Sequence, residues 1–526
     1  MTVTCRARSD VPAPTRPVRA TIRALAARAL SATGLFALFT TLFAFVQFGT
    51  AGLADNDGFY HMRMARLMLE EGLTPRFVWL PSSILNADSF YDHHFLYHAY
   101  LAMFAGNPDD DALIMGAKLA SIMMPALAFV AIWWLLRAED VPWAWIWALG
   151  LFGISEAFLY RMSMPRAQSA SLLVLALSLH VLLQRRYHWL LPLGFLYVWL
   201  YNAFPLLLML GGATFLATIV TDRRIEWRAL LFPVAGIVLG LLINPYVPEN
   251  LIFIANHLAP KIGQPETSVG NEWYPYQTWT LVGNSGGALA AWLLGTFAIG
   301  WRGSRMDRST LIAFGLSVFF GILLFKSRRF VEYFPPFALI FAALACAPLL
   351  RSWRIAALER HDASLRQHWR MGARRYGIPV AFAIVIGVLA TLTLPAARAQ
   401  MADSRPAETY AGASAWLRAH AYPGTMVFQT DWDDFPRLFF YNTASRYTIG
   451  LDPTYMQLYD PDLYDEWVAI TRGKVSEPGA RIAERFGAQY VVTDHAHGAF
   501  LRAIEGDPHL REVYRDTDAI VFVVVQ

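Results

Sequence analysis

The chain of 526 residues contains little charge and almost no cysteine. Charged residues make up 16% of it and hydrophobic residues 56%, whereas a soluble domain usually carries about 25% charge. The two cysteines are Cys5, in the N-terminal tail, and Cys346, in an apolar segment, so we expect neither a disulfide nor a zinc site. This composition is typical of a membrane protein.

Phosphate-binding sequence motifs are absent as well. The chain contains neither Gly-x-x-x-x-Gly-Lys nor Gly-x-Gly-x-x-Gly, the loops that hold ATP or a dinucleotide. Its net charge is only +4, and its arginines lie in short loops, which membrane topology explains better than a nucleic-acid footprint. We therefore expect no nucleic-acid partner and no nucleotide site of a known kind.

Long apolar segments dominate the chain. A helix that crosses a bilayer needs about 20 apolar residues, and the sequence predicts about eleven spans, with residues 93–106 as a further re-entrant or interfacial segment. We predict a polytopic α-helical membrane protein with about 11–13 transmembrane helices, consisting of a cytoplasmic basic tail (1–30) and a transmembrane domain (31–395). The predicted spans are 31–53, 112–137, 141–159, 167–184, 187–204, 205–221, 228–245, 279–299, 309–325, 331–350 and 377–395.

Basic residues mark one side of this topology. We predict a protein of the cytoplasmic (inner) membrane. Because cytoplasmic loops are enriched in arginine and lysine, we place the N-terminus on the cytoplasmic side, together with the arginine-rich loops near 138–140, 185–186, 222–228, 300–308 and 351–376. The loops predicted outside are 54–111, 160–166, 246–278 and 326–330. An odd number of spans then leaves residues 396–526 in the periplasm or extracellular space.

Residues 396–526 are predicted to fold as an extracytoplasmic α/β domain. The segment Glu408–His420 has the pattern of an amphipathic helix, and Pro478–Phe486 that of a shorter one. Three hydrophobic, β-branched segments predict strands: Thr425–Gln429, Ala488–Thr493 and Ala519–Val525.

Unusual polar clusters fall on the predicted outer side. Asp57, in Asp55-Asn56-Asp57, is a candidate N-cap, a catalytic carboxylate, or both. An arginine pair, Arg328-Arg329, occupies a side where the positive-inside rule disfavours it. This pair either reaches outer lipid phosphates or binds a phosphate group bidentately.

The order of these clusters resembles the catalytic subunit of oligosaccharyltransferases, which are C-type membrane glycosyltransferases. Asp57 and Arg63 match the Asp-x-x-Tyr-x-x-Arg pattern of the family's first acidic motif. Glu272, three residues before Pro275, matches the Glu of a Ser-Val-Ser-Glu-His-Gln-Pro stretch. Either Arg328 or Arg329 matches an arginine that precedes a proline by seven residues.

The C-terminal domain adds a further match. Trp432-Asp433, flanked by Asp431, resembles the centre of the family's Trp-Trp-Asp-Tyr-Gly motif, which recognises the hydroxyl residue of an Asn-x-Ser/Thr acceptor. The resemblance implies that Asp431, Trp432 and Asp433 bind the acceptor. Alternatively, the Asp cluster only caps a helix that starts near Pro436.

The family's second acidic motif, which completes its metal site, has no counterpart here. The chain has Arg161-Met162-Ser163-Met164-Pro165-Arg166-Ala167-Gln168 there, of which only Arg161 and Ser163 match the family. A divalent cation, Mn or Mg, is then either dispensable or held by replacement ligands. The tentative ligands are Asp57, Glu272, Asp92 and His93, with Glu156 as a further candidate; Asp92-His93-His94 is otherwise an ordinary polar loop.

The resemblance implies a membrane glycosyltransferase that moves a sugar or oligosaccharide from a polyprenyl-phosphate or polyprenyl-diphosphate donor to an acceptor at the outer face. Asp57 and Glu272 would be catalytic, and Arg328, Arg329 and Arg63 would bind the donor phosphate. Two alternatives stay open. The same fold acts on a lipid, glycan or protein hydroxyl instead of a sequon Asn, or the chain is a non-catalytic transporter or scaffold.

Overall fold

A computed structural model describes residues 18–262, 270–303, 305–358 and 365–525. The basic tail before residue 18, Cys5 and part of the family-like stretch before Gly270 lie outside these residues. The helices up to the C-terminal domain are α1 (Val18–Gln47), α2 (Asp57–Glu71), α3 (Phe95–Ala102), α4 (Asp110–Ala138), α5 (Ala144–Gly150), α6 (Glu156–Ser163), α7 (Gln168–Leu183), α8 (Leu190–Leu200), α9 (Pro205–Asp222), α10 (Arg228–Leu242), α11 (Glu249–Ile262), α12 (Thr278–Arg302), α13 (Arg308–Lys326), α14 (Phe334–Leu358) and α15 (Leu365–Ala402).

The helical part confirms a multi-pass membrane protein. Seven of the described helices are long and apolar enough to cross a membrane, namely α1, α4, α9, α12, α13, α14 and α15. The pair α6 and α7, bent by 107°, makes an eighth if it is counted as one span. The remaining apolar helices are shorter, among them α10 and the 11-residue α8.

One predicted span is broken. Residues 141–159 form two helices, α5 and α6, rather than one. A Cβ at Gly153, in the break, would lie 2.8 Å from the Leu389 side chain of α15, so this glycine allows a close approach between segments. Ser155 then starts α6, because its side chain accepts a hydrogen bond from the Phe158 N–H. The prediction of a single helix here was wrong.

Helices α8 and α10 pack through small residues. A Cβ at Gly236 would lie 2.2 Å from the Leu191 carbonyl oxygen, and one at Gly240 would lie 2.8 Å from that of Phe195. Small residues let helix backbones approach closely where apolar burial gives no driving force between helices.

The loops predicted on the same side of the membrane contact one another. On the basic side, Arg351 donates to the Asp140 carbonyl oxygen (3.0 Å), and Ser309 donates to Glu139 (2.7 Å). At the other end of the bundle, the loop after α2 contacts the C-terminal domain, where Trp79 donates to the Thr443 carbonyl oxygen (2.7 Å). The structure thus has two polar ends separated by apolar helices.

The C-terminal domain confirms the predicted α/β fold. Its helices are α16 (Ala411–His420), α17 (Phe435–Tyr441), α18 (Pro453–Tyr459), α19 (Pro461–Thr471), α20 (Gly479–Phe486) and α21 (Gly498–Ala503). Its strands are β1 (Met426–Gln429), β2 (Arg446–Tyr447), β3 (Tyr490–Thr493), β4 (Leu510–Arg515) and β5 (Ile520–Val524). They form one sheet in the order β2-β1-β3-β5-β4, in which β1 pairs parallel to β2 and β3, and β5 pairs antiparallel to β3 and β4.

Candidate active site

A cavity of about 780 Å³ lies between the ends of the membrane helices and the C-terminal domain. Residues from all four loops predicted to be outside, or from the helix ends beside them, contribute to its wall. The lining includes Asp57, His61, His93, Arg166, Glu272, Arg329, Asp431, Trp432 and Asp433. The polar clusters singled out in the sequence therefore meet at one place.

Asp57 is the first residue of α2, and its side chain is not the cap. Asp55 accepts a hydrogen bond from the Gly58 N–H (2.9 Å), so Asp55 has the capping role that the sequence suggested for Asp57. The Asp57 carboxylate instead lies 3.0 Å from Arg166 Nη2. Burial raises the pKa of Asp57 to about 7, opposed by Arg166 and assisted by the carboxylates of Asp55, Asp433 and Glu272.

Glu272 lies among three arginines. Its Oε1 accepts from Arg329 Nη1 (2.9 Å) and its Oε2 from Arg161 Nη1 (2.9 Å). Arg166 Nη1 is 3.9 Å from the same Oε2. Burial alone would raise the pKa of Glu272, but the three guanidinium groups hold it well below its usual range.

Arg161 joins this cluster to a fully buried acid. Its Nε donates to Glu332 Oε1 (2.9 Å), and the Glu332 side chain has no exposed surface. Because an unpaired charge at such a depth is costly, the Arg161–Glu332 pair fixes the side of Arg161 that faces away from Glu272.

The structure distinguishes between the two arginines of the predicted pair. Arg329 lines the cavity, contacts the Tyr201 hydroxyl and lies 5.0 Å from the Trp273 ring centre. Arg328 turns away, because its Nε donates to the Pro275 carbonyl oxygen (3.2 Å) and its guanidinium lies over the Tyr276 ring. Arg329 is therefore the candidate phosphate ligand.

Arg63 does not reach the cavity. It forms an ion pair with Asp110 (2.6 Å) and lies over the Phe440 ring at 4.6 Å. It sits six residues along α2 from Asp57, and it points toward the start of α4. This position removes Arg63 from the predicted donor-phosphate set and gives it a structural contact instead.

The predicted acceptor residues lie on the part of the cavity wall that the C-terminal domain contributes. Asp431 caps the 3₁₀ turn Trp432–Asp434 by accepting from the Asp433 N–H (3.0 Å). Asp433 in turn accepts from Asn56 Nδ2 (2.7 Å). Burial and then Asp431 raise the pKa of Asp433 to about 6. Capping and cavity lining thus coexist in this motif.

Arg437 connects the C-terminal domain to the start of α2 by hydrogen bonds. Its Nε donates to Asn56 Oδ1 (2.7 Å), and its Nη1 donates to the Pro406 carbonyl oxygen (2.7 Å). The guanidinium also lies 4.3 Å from the Phe59 ring centre, and the residue is only 1% exposed. Asn56 therefore connects the Asp57 end of α2 with Asp433.

Asp92 belongs to a buried hydrogen-bonded chain. His61 Nδ1 lies 2.7 Å from His98 Nε2, and His98 Nδ1 lies 2.7 Å from Asp92 Oδ2. Burial holds the pKa of His61 well below its usual value, so the imidazole lines the cavity in its neutral form. The hydrogen bonds through His98 to Asp92 orient His61, which lies one helical turn after Asp57.

The predicted metal ligands are not assembled. Asp92 faces His98 rather than Asp57, and His93 stacks on Phe253 at 5.3 Å between ring centres. Within the described ranges, no group of three His, Cys, Asp or Glu is placed to hold a metal ion. The oxygens of Glu272 accept from arginines instead. These residues do not fit a divalent-cation site of the family type.

Several site residues were missed at the level of sequence. Arg166, Glu332, Asn56 and Arg437 act through partners more than 100 residues away, so no local motif marks them. The available signal was Arg166, an arginine without a match in the stretch where the resemblance places the second acidic motif.

Comparison with solved structures relates this fold to known proteins. The archaeal oligosaccharyltransferase AglB from Archaeoglobus fulgidus, in complex with an inhibitory peptide and a dolichol-phosphate, matches with a TM-score of 0.65 and 14% identity, over 95% of this chain and 75% of that chain. The same organism's oligosaccharyltransferase tethered with an acceptor peptide containing the NVT sequon matches at 0.61 and 15%, over 94% and 74%. ArnT from Cupriavidus metallidurans bound to undecaprenyl phosphate matches at 0.57 and 15%, over 93% and 97%.

Sequence-level comparisons find less. No protein-family model matches the chain, and no curated protein matches it. At such low identity the structural likeness shows the fold alone. The chain therefore has the C-type membrane glycosyltransferase fold, and the predicted resemblance is confirmed at that level.

Proposed function

We propose that this protein is a membrane glycosyltransferase that moves a sugar or oligosaccharide from a polyprenyl-phosphate or polyprenyl-diphosphate donor to an acceptor at the outer face of the cytoplasmic membrane. The observation that carries this proposal is the convergence of Asp57, Glu272 and Arg329 on one cavity between the membrane helices and the C-terminal domain. Solved structures with this fold hold dolichol-phosphate or undecaprenyl phosphate.

The side chains of the cavity suit transfer of a sugar from a lipid phosphate. Arg329 and Arg166 provide guanidinium N–H groups, which bind phosphate oxygens bidentately. The acceptor attacks the anomeric carbon as the bond from this carbon to the phosphate oxygen breaks, so the configuration inverts. The lipid phosphate leaves with the bonding pair, and the arginines stabilise its charge. With a hydroxyl acceptor, Asp57 takes the proton that the hydroxyl releases.

The acceptor is the less defined partner. Trp432 and Asp433 lie on the cavity wall contributed by the C-terminal domain, where a protein, lipid or glycan acceptor would bind. Asp431 and Asp434 flank Trp432-Asp433 where the family's motif has Trp and Tyr, and Asp433 accepts a hydrogen bond from Asn56. This departure from the family's motif favours a hydroxyl of a protein, lipid or glycan over a sequon Asn.

The proposal is tested by transfer in nanodiscs of purified protein. Polyprenyl-diphosphate and polyprenyl-phosphate donors with labelled sugars are offered with a sequon peptide, a Ser/Thr peptide without a sequon, and membrane glycolipids. We expect label transfer to one acceptor class, with loss in Asp57→Asn and Glu272→Gln. Asp111→Asn, an exposed carboxylate at the start of α4, is the matched control. Unchanged transfer in both cavity variants would refute the assignment.

A further inference from the structure

We propose that the Arg166 guanidinium takes the place of a divalent cation between Asp57 and Glu272, so that the site binds its lipid phosphate without a metal ion. The part of this inference that concerns the lipid rests on the proposed function. The part that concerns the cation rests on the geometry around Arg166 alone.

Arg166 lies at the centre of three carboxylates from two distant segments. Its Nε contacts Asp55 Oδ2, its Nη2 is 3.0 Å from Asp57 Oδ2, and its Nη1 is 3.9 Å from Glu272 Oε2. Without a cation between them these carboxylates would repel one another. The guanidinium supplies the positive charge that brings Asp57 and Glu272 to one wall of the cavity.

The backbone fixes Arg166 in this position. Gly58, in the first turn of α2, faces Pro165, and a Cβ at Gly58 would lie 2.2 Å from Pro165 Cγ. The loop before α7 is therefore seated directly on the helix that starts with Asp57. The Arg166 N–H also donates to the Met164 carbonyl oxygen (2.8 Å). The guanidinium is a built part of the site, not a surface side chain that happens to reach it.

The surroundings of Glu272 also oppose a metal ion. Both carboxylate oxygens already accept hydrogen bonds, one from Arg329 and the other from Arg161. A divalent cation would have to displace a guanidinium from the carboxylate and then sit beside three fixed positive charges. Mg²⁺ and Mn²⁺ are bound by oxygen ligands, and each Glu272 oxygen already has a guanidinium partner.

An arginine also supplies what the chemistry needs from a cation. Its charge persists at all physiological pH values, and its planar group presents several N–H donors to phosphate oxygens. Together with Arg329, it can neutralise the charge that develops on the leaving phosphate. The difference from a metal site is that the charge is covalently part of the protein and cannot be removed by a chelator.

The test measures binding rather than turnover. Purified protein in nanodiscs is treated with EDTA, and its affinity for undecaprenyl phosphate is compared with and without Mn²⁺, beside a direct Mn²⁺ titration and thermal melting. We expect no Mn²⁺ site in the wild type, and an affinity for undecaprenyl phosphate that changes less than about twofold with Mn²⁺. Binding should weaken at least tenfold in Arg166→Ala, while Arg76→Ala, an exposed outer-loop arginine, serves as the matched control.

Arg166→Ala also permits a gain-of-function readout. Removal of the guanidinium leaves the Asp55 and Asp57 carboxylates facing an open space, so Mn²⁺ should raise the melting temperature of this variant and not that of Arg166→Ala/Asp57→Asn. If Arg166→Ala does not fold, Arg166→Lys keeps the charge and should bind undecaprenyl phosphate without Mn²⁺.

Two results would overturn the inference. One is a stoichiometric Mn²⁺ site in the wild type that Asp57→Asn abolishes. The other is wild-type affinity for undecaprenyl phosphate that falls at least tenfold in EDTA and returns with Mn²⁺. If the wild type binds no undecaprenyl phosphate under either condition, the proposed donor is wrong, and the Mn²⁺ titration still decides the role of Arg166.

Discussion

Glu272 and Asp433 both line the cavity, and their pKa values are shifted in opposite directions. On the membrane side, Glu272 is surrounded by guanidinium groups, and the pKa of its carboxyl is held low. On the side of the C-terminal domain, burial raises the pKa of Asp433 to about 6 and that of Asp434 to about 8. The Arg405 guanidinium lies 3.4 Å from the Asp434 carboxylate.

On the basis of this difference we propose different partners for the two walls. A carboxylate that stays ionised among arginines belongs to a site organised around charge, which suits a phosphate. Asp433 has a raised pKa and is hydrogen-bonded to Asn56, which suits recognition of a hydrogen-bonding group. The asymmetry therefore favours donor phosphate at Arg329 and Arg166, and an acceptor at Trp432 and Asp433.

The sharpest comparison is between Asp57→Asn and Asp433→Asn. We expect Asp57→Asn to lower kcat by about 10²–10⁴, the usual contribution of a proton-accepting group. Asp433→Asn should mainly raise the acceptor KM, because it changes recognition rather than the reacting centre. Steady-state kinetics with acceptor as the varied substrate separates the two. Equal effects on kcat in both variants would contradict the division of the walls.

Glu332→Gln tests how the membrane-side wall is held. The substitution leaves Arg161 with Glu272 alone, and breaking a buried ion pair costs roughly 3–5 kcal/mol. A clearly lower melting temperature is expected. The double variant Arg161→Met/Glu332→Met should recover much of the stability, since two apolar residues leave no unpaired charge. A single variant as stable as the wild type would show that the pair does not organise this wall.

Arg437→Lys tests the connection between the walls. Lysine keeps the charge but cannot bridge Asn56 and the Pro406 carbonyl with one planar group. We expect a loss of about 1.5–3 kcal/mol, seen as faster proteolysis within the C-terminal domain. Arg481→Lys, an exposed arginine of α20, is the control. Equal proteolysis rates for the two variants would argue against a locking role.

The smallest effect concerns the pH dependence of stability. The pKa of Asp434 is about 8 in the folded protein and 3.8 without burial, so its protonated form is favoured by folding. Its stabilising contribution is present below about pH 4 and is lost as the pH rises toward 8. Asp434→Asn should therefore flatten the decline in melting temperature between pH 5 and pH 8. If the melting temperature of the variant declines as steeply as that of the wild type, the pH dependence comes from a group other than Asp434.

The sequence predicted the C-terminal strands unevenly. The segments that became β1, β3 and β5 are hydrophobic and β-branched, and they lie at the centre of the sheet. The missed strands are its edges: β2 has only two residues, and β4 (Leu510–Arg515) is polar and has no fully buried position. Edge strands show little of the periodicity on which prediction depends.

The sequence predicted those site residues that lie within a short motif of the family it resembles. Asp57, Glu272, Trp432 and Asp433 were found in this way, and all four line the cavity. Arg166 was visible only as a mismatch, because its role depends on Asp57 across 109 positions of sequence. Arg63 matched a pattern and yet faces Asp110. Motif spacing places a residue on a helix, but only packing decides which neighbour it faces.

The most direct test of the account is a cryo-electron microscopy structure of the protein with undecaprenyl diphosphate. We predict phosphate density in the cavity within hydrogen-bond distance, about 3 Å, of Arg329 and Arg166, with Asp57 and Glu272 beside it. Phosphate density elsewhere on the protein, with these four side chains unchanged and distant from it, would contradict the proposal that this cavity is the donor site.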